Sequence, residues 1–145
     1  MRIQLHTDPS LEETVVTVAC PALDDATARL LASLQAFGRK LTGQADGQAY
    51  LLDPEEVLYI DTVDKLVFLY TRQAVYESPL RLYELEERLA GCGFLRAGKS
   101  CLVNLDRVRS IRPELGGRLQ LTMESGERLF VSRQYAPAFK QILGL

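Results

Sequence analysis

The chain has 145 residues, 47% of them hydrophobic and 25% charged, the profile of an average soluble globular protein with one ordinary domain and room for a small appendage. No apolar run approaches the ~20 residues that cross a bilayer, and the N-terminus, MRIQLHTDPSLEE, lacks the apolar core of a secretory signal, so the expected location is the cytoplasm. A formal net charge of −2 by itself argues against a nucleic-acid partner.

The distribution of charge says something different. Residues 1–93 hold 8 Lys/Arg and 15 Asp/Glu, a net of −7, whereas residues 94–145 hold 9 and 4, a net of +5. Two readings stand: an anionic partner for the second part, or a balance of opposite charges across one domain. The three cysteines, Cys20, Cys92 and Cys101, are odd in number and form no CxxC pair, so they read as reduced thiols used as small core residues. With His6 as the only histidine, no His-rich metal site is possible, and no cofactor is expected.

In chain order, RIQLHT (2–7) and the β-branched ETVVTVAC (13–20) read as strands. Asp24 and Asp25 then open a helix with Ala26, Leu30, Leu34 and Phe37 on one face, closed by Gly38. This strand–strand–helix extension is too small to be robust alone. GQADGQ (43–48) is a hairpin turn or a linker, and the boundary between extension and main domain is placed at 47/48. In AYLLDPEEVLYIDT (49–62), Pro54 rules out an unbroken central strand, leaving DPEE as a turn or one helical turn. VLYIDT and KLVFLYT are two strands separated by Val63 and Asp64; TRQA turns, and AVYES follows.

ESPLRLYELEERLAGCG (77–93) has the clearest helical signal. Ser78 is the expected cap, Pro79 the first helical residue, Leu82, Leu85 and Leu89 the buried face, and Gly91 the end. VRSIRPE, RLQLTME and RLFVS are further strands, with turns at Gly116–Gly117 and Ser125–Gly126. In RLQLTM, Leu119, Leu121 and Met123 alternate with polar residues, the mark of a half-buried strand. The chain closes on a short helix expected to turn Phe139, Ile142 and Leu143 inward.

Catalytic motifs are missing: no GxGxxG, P-loop or GxSxG, and no histidine placed for a triad. Glu55–Glu56 and Glu86–Glu87 are sequence neighbours that point apart, so they are solvated faces rather than acid–base pairs. An enzyme reading therefore has little to stand on.

What remains is FLRAGKSCLVN (94–104), where polar residues interrupt apolar strand. Arg96, Lys99 and Ser100 offer a guanidinium, an ammonium and a hydroxyl, and Gly98 allows close approach of backbone. These are the groups that bind phosphate oxygens and guanine edges. VSRQY (131–135) adds Arg133 and Gln134, suited to guanine and adenine respectively, and Lys65 lies in a third turn. The plain alternatives are exposed strand-end charges for Arg96 and Lys99, a loop hydrogen bond for Ser100, and a salt bridge for Arg133. Asn104 reads as a turn cap. Arg107, Arg109 and Arg112 either flank a ligand or solvate an exposed face.

LYID, KLVFLYT, LxxLEExL, FLRAGKSCLVNLDRV and GERLFVSRQYAP, in that order over residues 48–143, resemble the LytTR family of DNA-binding domains. Phe94, Arg96, Lys99, Ser100, Val103, Asn104, Val131, Ser132 and Arg133 carry its signature. The resemblance implies an α+β, mostly β fold of antiparallel sheets with short helices, here with the N-terminal extension (1–47) ahead of a LytTR-type domain (48–145). It implies a bacterial transcription regulator that inserts loops into successive major grooves of double-stranded DNA at direct repeats. The implied contacts are Arg96, Lys99 and Ser100; Arg133 and Gln134; and the turn with Lys65. Gly98 stands where the family often has an aromatic or histidine. Residues 1–47 are too few for the receiver domain that many members carry, so the chain resembles short, receiver-less members. Its extension is the expected homodimer surface. The rival reading is a protein-interaction module, bound to a sensor partner, that has lost DNA binding.

Overall fold

The computed structural model describes residues 1–145, apart from the side chains of residues 33 and 35–38; Phe37, expected on the inner face of the first helix, is among these. The chain divides into two compact units, Met1–Ala36 and Phe37–Leu145.

In the first unit the expected strands at 2–7 and 13–20 do not form; residues 1–24 hold only turns and bends. Two short strands with no third partner are marginal in water. Ile3 and Leu5 accordingly stand 87% and 93% exposed, with Val15 and Val16 exposed too. Cys20 is also exposed, which corrects its reading as a core thiol. The helix does form: α1 runs Asp25–Arg39, and the Asp24 carboxylate accepts the Thr27 N–H at 2.8 Å as its cap.

The second unit is built on two antiparallel sheets. The larger contains β1 (Leu41–Ala45), β2 (Gln48–Leu52), β3 (Val57–Val63), β4 (Leu66–Thr71), β5 (Val75–Ser78), β6 (Phe94–Gly98) and β7 (Cys101–Asn104). Their order across the sheet is β2-β1-β5-β4-β3-β7-β6. GQADGQ is a hairpin turn and no linker: Asp46 and Gly47 take φ of 51° and 76°, the left-handed pair that suits a two-residue hairpin. The expected boundary at 47/48 thus falls inside the β1–β2 hairpin. Pro54–Glu56 form a single 3₁₀ turn before β3.

The smaller sheet pairs β10 (Arg128–Val131), β9 (Leu119–Met123) and β8 (Val108–Pro113), in that order. Helix α2 (Leu82–Arg88) is shorter than its sequence signal. Ser78 and Pro79 do not begin it; Ser78 is the last residue of β5, and its hydroxyl accepts the Leu80 N–H at 3.1 Å. Glu84 instead accepts the Arg81 N–H at the helix start.

Two cores result. Leu82, Leu85 and Leu89 pack with Val57, Ile60, Leu69 and Leu102 on one side of the large sheet. On the other side Leu58, Tyr59, Ala97 and Val103 meet Leu119, Leu121, Met123 and Val131 of the small sheet. A register shift between Val57 and Tyr59 lets the consecutive Leu58 and Tyr59 serve one face. Helix α3 (Ala136–Leu143) adds Ala136 and Phe139 to this second core. Its burial stops there: Ile142 is 59% exposed and Leu143 is also exposed, correcting the expectation that both face inward. Leu119, Leu121 and Met123 are buried as expected, but Gln120 between them is buried as well, at 7% exposure, so the strand is more covered than a half-buried one.

Candidate nucleic-acid interface

The stretch FLRAGKSCLVN is a β-hairpin, β6–β7, with Lys99 and Ser100 at its turn. Its pairing slips by one residue between Arg96 and Gly98, a bulge of the kind that re-aims side chains. Arg96 lies on the strand rather than in a displayed loop, and its side chain is only 19% exposed. Its Nε donates to Glu86 Oε2 at 3.2 Å and its Nη1 to the Lys99 carbonyl at 2.7 Å. Arg96 therefore clamps the turn from beneath, while Lys99 and Ser100 are exposed. A Cβ added at Gly98 meets nothing within 4 Å, and its φ is not positive, so the fold itself does not demand glycine there. Asn104 is a cap as expected: its Oδ1 accepts the Asp106 N–H at 3.1 Å, and its Nδ2 donates to the Val57 carbonyl at 2.9 Å. Beside the turn, burial and then Asp61 push the Cys101 thiol up to about 12.

A second turn joins β3 to β4 through Asp64 and Lys65, whose φ values are 51° and 69°. Both are exposed. The geometry is that of the tight hairpin turn that favours Asn-Gly, with lysine standing where glycine is unstrained. The third turn, Ser132–Tyr135, leads from β10 into α3 and exposes Arg133 and Gln134. It packs against a fourth segment, 114–118, between β8 and β9: a Cβ on Gly117 would lie 3.3 Å from Arg133 Cγ. In this segment Leu115 is 92% exposed.

Backbone hydrogen bonds gather these turns. The Thr62 N–H donates to the Ser100 carbonyl at 2.9 Å, tying the β3–β4 turn to the β6–β7 turn, and the Ser132 N–H donates to the Ala97 carbonyl at 2.8 Å, tying in the third. All three regions singled out in the sequence thus share one end of the second unit. The 114–118 segment was legible only as a Gly-Gly turn; its neighbourhood with Arg133 depends on strand register.

The remaining arginines divide. Arg107 Nε donates to the Glu55 carbonyl at 2.9 Å, and its Nη1 pairs with Glu124 at 3.4 Å. Glu124 also pairs with Arg72 at 2.8 Å, and that bond, ahead of Arg107, holds its carboxyl below the ordinary range. Arg109 reaches the carbonyls of Met123 and Glu124. Arg112 pairs with Glu114 at 3.0 Å. Among the described residues no ion pair engages Lys65, Lys99, Arg118, Arg128 or Arg133. No helix there is long and apolar enough to cross a membrane.

Comparison with known proteins bears on the fold and the family. Residues 47–144 match the family model of the LytTr DNA-binding domain. A solved LytTr DNA-binding domain from Bacillus cereus superposes with a TM-score of 0.70 and 26% identity, over 74% of this chain and 98% of that one. The sensory transduction protein LytT of Enterococcus faecalis is 28% identical over 70% of this chain, which spans 42% of that protein's length. An HTH-type transcriptional regulator of Staphylococcus aureus is 23% identical over 100% of this chain and 99% of its own. The helix-turn-helix of that name has no counterpart among the described residues, where strands separate all three helices. By its fold and by the match over most of its length, the chain belongs to the LytTr DNA-binding domain family of DNA-binding transcriptional regulators.

Proposed function

We propose that the chain regulates transcription by pressing the turns around Lys65, Lys99–Ser100 and Arg133–Gln134 into the major groove of double-stranded DNA. The observation that carries this reading is their convergence: three turns with unpaired cations, drawn from both sheets, held at one end by the Thr62–Ser100 and Ser132–Ala97 hydrogen bonds. Lys99 and Lys65 neutralise phosphates, Ser100 donates from its hydroxyl, and Arg133 and Gln134 read guanine and adenine edges. Arg96 shapes the β6–β7 turn through the Lys99 carbonyl and turns its remaining guanidinium donors to the nearest phosphate. Lys65 supports the reading from another side. A non-glycine residue at φ 69° stores backbone strain, and such strain collects at functional positions.

Few contacts per domain mean modest affinity, so the chain binds as a homodimer on direct repeats. Its acidic, apolar-studded segment 1–36 faces a second copy rather than the duplex, in the cytoplasm. A regulatory partner protein supplies the input signal. The protein-interaction reading is less favoured, because it leaves the unpaired cations of the three turns without a ligand.

The test is fluorescence anisotropy on a duplex selected from random sequence by the wild-type chain, across a salt series. Lys99→Ala and Lys65→Ala are each expected to lower the salt slope by about one unit and to weaken binding evenly across sequences. Arg133→Ala is expected to cost ~1–3 kcal/mol and relax preference at one position. Salt-independent binding, or variants indistinguishable from wild type, would contradict the proposal.

A further inference from the structure

The small sheet has an outer face that the turns do not use. Leu119, Leu121 and Met123 point into the core, so their neighbours on β9 point out. The register sets Arg112, Gln120 and Phe130 in one row across the sheet and Ser110, Thr122 and Arg128 in the next. Arg118 lies above the first row, its guanidinium carbon 5.5 Å from the Phe130 ring centroid, within the reach of a cation–π contact. Phe130 is 52% exposed, and Arg118 and Arg128 are exposed and free of ion pairs among the described residues. The carboxylate that partners this face is Glu114, committed to Arg112 at the margin. The rows begin beside the proposed interface, because Val131 and Leu119 pair at the strand end that leads to Ser132 and Arg133.

We propose that this face is a second contact with DNA: a track of arginines that receives the phosphates of the duplex flanking the groove-inserted turns. The inference rests on the loop-insertion reading and extends it beyond the turns. Gln120 is buried in the middle of the first row and accepts from Arg112, so the exposed part of the face is arginines and hydroxyls with hardly any acid, which matches a phosphate backbone, and it is continuous with the end proposed to meet the duplex. Successive same-face rows along a strand lie about 7 Å apart, so Arg118 and Arg128 meet the backbone at different depths from the turns. Such contacts carry no base information; they add affinity, salt dependence and a fixed path for the flank.

The experiment compares two duplexes of the selected sequence, one trimmed to the region protected by the turns and one extended by about 10 base pairs, one helical turn, on each side. For the wild type the extension is expected to tighten binding about tenfold and to steepen the salt slope by about two units, one per phosphate contact. The Arg118→Ala/Arg128→Ala double variant is expected to bind the trimmed duplex like wild type and to lose the gain on the extended one. The Arg118→Lys/Arg128→Lys variant is expected to keep most of the gain, since charge is retained. If extension gives wild type nothing, or the alanine variant gains as much as wild type, the track is overturned and the face is left for an acidic protein partner. If wild type binds neither duplex, loop insertion fails as well, a result distinct from loss of the flank effect alone.

Discussion

The two units of this chain carry similar apolar sequence and treat it oppositely. RIQLHT and ETVVTVAC in the first unit are as β-prone as VLYIDT and KLVFLYT in the second. Yet Ile3 and Leu5 stand in solvent, whereas Ile60 and Leu69 are fully buried. Composition is not the difference. β3 has β4 on one side and β7 on the other, while no strand pairs with residues 2–7 or 13–20 among the described residues. Alternation proposes a strand; only a partner and a core make one.

The largest difference between the two units is expected in the core. Phe139→Ala in the second unit is expected to cost ~3–5 kcal/mol in denaturant unfolding, the usual loss for a buried phenylalanine, while Leu5→Ala in the first unit should stay within about 0.5 kcal/mol. Equal costs would mean that the first unit is packed after all. A smaller effect is expected for Asn104→Ala, ~1–3 kcal/mol, because the Val57 carbonyl and the Asp106 N–H lose their partner. Self-association sharpens the contrast further. If segment 1–36 faces a second copy, Val15→Asp with Val16→Asp should shift sedimentation toward monomer and leave the melting temperature of the sheets in place.

Two finer effects follow. Lys65→Gly is expected to stabilise the fold by ~0.4–1 kcal/mol in the same unfolding assay, since glycine takes φ 69° without strain, and to weaken DNA binding at the same time. A variant that is stabler and still binds fully would remove Lys65 from the interface. Cys101 supplies the smallest signal. Its folded-state pKa is raised from 9.0 to about 12, so folding favours the neutral thiol. The stability it contributes is complete below pH 9.0 and fades as pH rises toward about 12. Replacement by serine should flatten that alkaline decline in stability measured against pH.

What the sequence made legible follows the same logic. The strands of the second unit from β3 onward, their turns at 116–117 and 125–126, and the Leu82–Leu85–Leu89 face could be read because turn residues and periodicity act locally, whereas β1 lay partly within the stretch read as a turn or linker. The start of α2 could not, since Ser78 and Pro79 satisfy a helix-start pattern equally well when the hydroxyl closes a loop after β5. Likewise Ile142 and Leu143 fit an amphipathic helix whose buried part ends at Phe139. Within the candidate site, Lys65, Lys99, Ser100, Arg133 and Gln134 were found as exposed turn residues. Arg96 looked the same in sequence but is drawn under the turn by Glu86, ten residues away, across a helix. The arginine rows of the small sheet were invisible, because which residues share a row is fixed by register between strands.

The central claim is that the end carrying the three turns is the surface that meets the duplex. It is tested most directly by titrating the isotope-labelled chain with the selected duplex and following backbone amides by NMR. The largest shifts are expected at Asp64–Lys65, Lys99–Ser100 and Arg133–Gln134, with α2 and the β1–β2 hairpin unmoved. Shifts concentrated on α2 or the β1–β2 hairpin, with those three turns silent, would contradict it.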